Sequence, residues 1–99
     1  MARHKRKKLP PLTPRAREIV MAVVNAVALG THDDDAEIGA LARQLGSTPA
    51  RLQTIVRRLV DQGWLTLRHD FVYPTVEALR WQNPQVDEKE AAGILRRLK

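Results

Sequence analysis

Between Pro49 and Gln62, five polar side chains capable of chemistry, Arg51, Gln53, Thr54, Arg57 and Arg58, alternate with Leu52, Ile55, Val56, Leu59 and Val60. The apolar set repeats at the helical period, which leaves the polar set, with Ala50, on the open side of one helix. These residue types are able to bond the edges of DNA bases. Arginine donates two parallel hydrogen bonds to a guanine edge, glutamine makes the equivalent pair with adenine, and threonine offers thymine a methyl group and a hydroxyl. The N-terminal turns of such a helix enter a major groove deepest. Arg51, Gln53 and Thr54 are therefore the candidate base readers, and Thr48, Arg57 and Arg58 the candidate phosphate contacts. The competing reading is a solvated polar face on a core helix.

Two further basic groups fit the same chemistry. Arg68 and His69 lie at the tip of an expected hairpin, where they would meet a phosphate or a minor groove, or form a plain solvent-facing turn. Arg3, Lys5, Arg6, Lys7 and Lys8 make a basic arm that would follow a DNA backbone, or simply solubilise the chain. Overall, 17 Lys and Arg against 11 Asp and Glu give a net charge of +6. The excess is localised: residues 1–17 carry seven basic and no acidic groups, and residues 43–68 carry five arginines and one aspartate. The stretch between them, residues 18–42, carries five acidic groups and no basic one. Such a surface calls for a polyanion, nucleic acid first and an acidic membrane second.

Other chemistries find little support. With no cysteine, disulfides, thiolate zinc sites and thiol nucleophiles are excluded. The run His32-Asp33-Asp34-Asp35 invites a metal, but it lacks a glycine bend and spread ligands, and helix capping explains it more simply. No metal or cofactor is expected. His4 and His69 have no companion carboxylate pair, and 99 residues leave no room for a two-domain cleft, so the chain is not read as an enzyme. Four aromatic residues are too few for single-strand stacking, so Trp64 and Trp81 are expected in the core or an interface. The apolar run Ile19 to Val24 falls far short of the ~20 residues of a membrane span. Pro10, Pro11, Pro14, Arg15, Arg17 and Glu18 interrupt any secretory signal, and the expected location is cytoplasmic.

The elements that must position these groups are mainly helical with a small β-hairpin. Residues 1–11 have little apolar content and are expected to be a flexible arm. Thr13-Pro14 starts a helix that stops near Gly30 and is apolar on more than one face, so that other elements or a second subunit must cover it. Asp34 and Glu37 predict a capping box for a helix from Asp35 to about Leu45, ended by Gly46. Thr48-Pro49 starts the third helix, closed by Gly63. From Trp64 the period becomes two, with His69-Asp70 as a break between strands. Thr75 to Trp81 predicts a brief helix stopped at Asn83-Pro84, and Asp87 with Glu90 caps a last helix carrying Ala91, Ile94, Leu95 and Leu98. The division is an arm over 1–11, a domain over 12–82 and a C-terminal helix over 83–99.

The stretch from Ile38 to Leu65, IGALARQLGSTPARLQTIVRRLVDQGWL, resembles bacterial winged helix-turn-helix repressors of the MarR and LexA kind. It carries an IA-x-x-LG-x-S/T-like helix and turn and an RRL-x-x-x-G-hydrophobic exit, and Leu12 to Ile19 is similar to the first-helix start of that group. Pro74 and Ala78 depart from the pattern beyond the hairpin. The resemblance, over residues 12–75, implies a winged helix with an extra C-terminal helix and sequence-specific binding of double-stranded DNA. A transcriptional repressor acting as a homodimer on a palindrome follows, because one such domain reads few base pairs. The alternative is a winged-helix interaction module that holds RNA polymerase or a replication or plasmid-partition partner. For the dimer, Val20 and Val24, with Leu29, are expected to meet Ile94, Leu95 and Leu98 across a twofold axis. The alternative is a C-terminal helix packed on its own domain.

Overall fold

The structure, a computed structural model, describes residues 9–98. In order it contains α1 (Pro14–Leu29), α2 (His32–Asp35), α3 (Ile38–Gln44), α4 (Pro49–Gln62), β1 (Leu65–Arg68), β2 (Phe71–Pro74), α5 (Val76–Gln82) and α6 (Glu88–Arg97). The described residues are thus mainly helical with one two-stranded antiparallel hairpin.

Local chemistry sets most boundaries. The Thr13 hydroxyl accepts from the Ala16 N–H at 3.2 Å, and Pro14 takes a first-turn position that needs no N–H. Thr48-Pro49 repeats the device, with Thr48 Oγ1 accepting from the Arg51 N–H at 3.2 Å. Thr75 caps α5, and Asp87 caps α6 through a 2.8 Å bond from the Glu90 N–H. Helix α1 is the central element. Its Ile19, Val20, Val23 and Val24 are completely enclosed, against α2, α4, α5 and β2 of the same chain. Its apolarity on several faces is thus satisfied within the domain. Leu41 from α3, Leu52, Val56 and Leu59 from α4, and Leu65 and Val72 from the hairpin complete the core.

The second helix departs from expectation. No capping box joins Asp34 and Glu37; His32–Asp35 form a separate turn, and Glu37 is extended at φ −78° and ψ 145°. Long-range pairing explains the break. The Val72 N–H donates to Ala36 O and the Ile38 N–H to Asp70 O, both at 2.9 Å, which makes an antiparallel bridge between Glu37 and Phe71. Helix α3 can start only after the chain leaves that pairing.

Strands β1 and β2 pair from Leu65 with Pro74 to Arg68 with Phe71. The connecting His69 and Asp70 both have positive φ, 50° and 68°, the pattern of a two-residue turn whose twist suits a hairpin. The fold also begins earlier than expected. Leu9 and Leu12 pack against the core, and the Trp64 Nε1–H donates to Pro10 O at 3.0 Å. Residues 9–11 are therefore part of the domain. Leu9 takes the space beside Gly63, whose left-handed φ of 95° suits glycine and where an added Cβ would come within 3.1 Å of the leucine. Trp64 also meets Trp81 edge to face at 5.3 Å, as expected of core aromatics.

Helix α6 lies on α5, with Ala91 fully buried and Ile94 and Leu95 half-buried against the core. This corrects the expected arrangement of interface residues. Val20 and Val24 are inaccessible to any partner, since their own domain encloses them, and Ile94 and Leu95 turn part of their surface inward. Leu98 is half-buried, and Leu29 at the end of α1 is 75% exposed.

Candidate nucleic-acid interface

Helix α4 is held from beneath by Leu52, Val56 and Leu59, which touch the core through one stripe. At about 100° per residue, the opposite direction is occupied by Ala50, Thr54 and Asp61, with Arg57 and Arg58 about 50° to either side of it. All five are exposed. Arg51 is also exposed and lies beyond Arg58 on one flank, while Gln53 lies beyond Arg57 on the other and is half-buried. The structure thus brings five of the open-side residues into one surface and moves Gln53 to its margin.

Charge on this surface is unopposed until its last turn. Among the described residues the one ion pair is Arg15–Glu18 at 2.9 Å, so Arg51, Arg57, Arg58 and Arg68 have no carboxylate partner there. Asp61 closes the outward line at its C-terminal end, where its carboxylate would repel a phosphate backbone. The basic surface therefore covers the first two and a half turns of α4. The helical period alone puts Asp61 on this line, although a search for basic residue types passes over it.

Side-chain polarity is also constrained. The Thr54 hydroxyl donates to Ala50 O at 3.1 Å, back along its own helix. Thr48 Oγ1 is occupied as the cap acceptor, and its hydrogen is left to donate. At the hairpin tip Arg68 and His69 are exposed, and the tip is set by β1 packing on α4 and β2 on α1. A depression of about 360 Å³ lies behind it, with Thr66, Arg68 and Tyr73 of the hairpin on one side and Leu95 of α6 on the other.

His32, which the residue pattern shows only as the first member of an acidic run, has a structural role. It is buried, its Nε2–H donates to Val72 O at 2.8 Å, and its ring lies 4.6 Å from that of Tyr73. It ties α2 to β2 and so helps to fix the hairpin. Its Nδ1 and the neighbouring Thr31 Oγ1 are buried without partners. Among the described residues no three His, Asp or Glu side chains converge as a metal ion would require.

Arg3, Lys5, Arg6, Lys7 and Lys8 lie outside the described residues. Their point of attachment is defined, because Leu9 sits against Gly63 at the C-terminal end of α4. That point is about 20 Å, the length of a fourteen-residue helix, from the Thr48 cap.

No family model matches the chain, and no curated protein or solved structure matches it either. Among the described residues no helix is long and apolar enough to cross a membrane.

Proposed function

We propose that this protein is a winged helix-turn-helix protein of the MarR and LexA kind that binds double-stranded DNA at specific sequences. The observation that carries the reading is the outward face of α4, where three exposed arginines have no acidic partner among the described residues and surround two small side chains. A face of this make-up suits a major groove: small residues permit close approach, and arginines supply base and phosphate contacts. In this reading α3, the turn at Gly46 and α4 form the helix-turn-helix, and β1 and β2 form the wing, which carries Arg68 and His69 to the backbone. Arg51 and Thr54, in the first two turns of α4, reach base edges, while Arg57 and Arg58, farther along the helix, bind phosphates with Thr48. Gln53 reads from the margin.

Repression is the simplest regulatory outcome, since occupancy of an operator blocks a polymerase. Two copies on a palindrome double the sequence read, at half-sites roughly 34 Å apart. Their contact surface excludes Val20 and Val24, which leaves the exposed Leu29 and the outer sides of Ile94, Leu95 and Leu98.

The test is selection of bound duplexes from a random pool, followed by binding across a salt series. The expected result is an enriched, symmetric sequence and a steep loss of affinity with salt. No enrichment and weak, salt-independent binding would instead favour the protein-interaction module. Removal of residues 1–8 deletes Arg3, Lys5, Arg6, Lys7 and Lys8. The slope of log affinity against log salt should then become shallower by about one unit for each phosphate that the shortened chain no longer neutralises. An unchanged slope would make this segment a solubilising tail.

A further inference from the structure

We propose that the methyl groups of Thr54 and Ala50 form a thymine-reading patch, which selects the 5-methyl group of that base in the major groove; this rests on the DNA-binding reading above. The two residues are one helical turn apart on the outward line of α4, and both are exposed. A threonine at such a position could address a base through its hydroxyl or its methyl. Here the hydroxyl hydrogen is already committed, because Oγ1 donates to Ala50 O at 3.1 Å. With the hydroxyl turned back onto the helix, the γ-methyl is the free branch, and Ala50 offers only a methyl. Two adjacent methyl groups make a small apolar surface between the exposed guanidiniums of Arg51 and Arg57. In a major groove the apolar counterpart of that surface is the C5-methyl of thymine, which cytosine and the purines lack at that position. Flanking arginines bound to neighbouring groups would hold the patch at contact distance.

The experiment uses the enriched duplex from the selection and the full chain. Each thymine in turn is replaced by deoxyuridine, which pairs identically and lacks only the methyl. One thymine per half-site should lose about fourfold in affinity on replacement, the value of one buried methyl. Thr54→Ser, which removes the γ-methyl and keeps the hydroxyl, should bind the thymine and uracil duplexes equally at that position. Thr54→Val, which keeps a methyl and removes the hydroxyl, should retain the discrimination. An enriched site at which uracil is neutral everywhere would overturn the patch and leave DNA binding intact. Discrimination that persists in Thr54→Ser and vanishes in Thr54→Val would also overturn it, by assigning the contact to the hydroxyl. If no duplex is enriched, the DNA-binding reading itself fails, and the patch with it.

Discussion

Arg51→Ala should weaken binding to the preferred duplex by about 1 to 3 kcal/mol, roughly five- to 150-fold, while affinity for random DNA falls much less. The reason is positional. Arg51 stands exposed in the first turn of α4, beside the Thr48 cap, and the N-terminal turns of such a helix enter a major groove deepest. Arg57 and Arg58 lie farther along the helix, about 50° to either side of its outward direction, and alanine at either should weaken specific and random DNA alike, with a salt slope reduced by about one unit. Competition binding on both DNAs separates the outcomes. Equal losses for Arg51→Ala on both would make it a backbone contact, and a selective loss for Arg57→Ala would make that residue a base reader. None of the three substitutions should affect folding, because all three side chains are exposed and none is held in an ion pair among the described residues.

Ala91→Asp should destabilise the domain by on the order of 3 to 5 kcal/mol, seen as a lower urea midpoint. Ala91 is fully enclosed where α6 meets the rest of the fold, and a carboxylate placed there would be desolvated. Leu98→Asp, at a half-buried position just beyond the end of α6, should cost much less. The pair of substitutions discriminates between an α6 that completes its own domain and one that serves a second copy. Native stability in Ala91→Asp with a change only in sedimentation would assign the helix to a partner. A loss of stability at unchanged oligomeric state would assign it to the domain, which is what its packing on α5 implies.

The division between what was legible in the residues and what was not follows the distance over which each interaction acts. Thr13-Pro14, Thr48-Pro49, Asp87 with Glu90, and the two-residue break at His69-Asp70 work over two to four residues, and the sequence alone placed them, though not the left-handed backbone of that break. The 3.6-residue period of Leu52, Val56 and Leu59 likewise determined which side of α4 is buried, and so which arginines are free. Only the tertiary structure decided the features that depend on chain far away. The start of α3 is delayed by pairing of residues 36–38 with residues 70–72, which overrides a locally plausible capping box. His32 is buried because the carbonyl of Val72, forty residues on, arrives to accept its N–H. Leu9 and Pro10 join the fold because Gly63 and Trp64 present a gap and a donor to them. Val20 and Val24 illustrate the limit best. Apolarity in a helix dictates that a surface must be covered, but the hydrophobic effect is non-directional and does not name the cover. In this chain α2, α4, α5 and β2 reach α1 first, and the surface that the residues alone left open to a second copy is filled by their own domain.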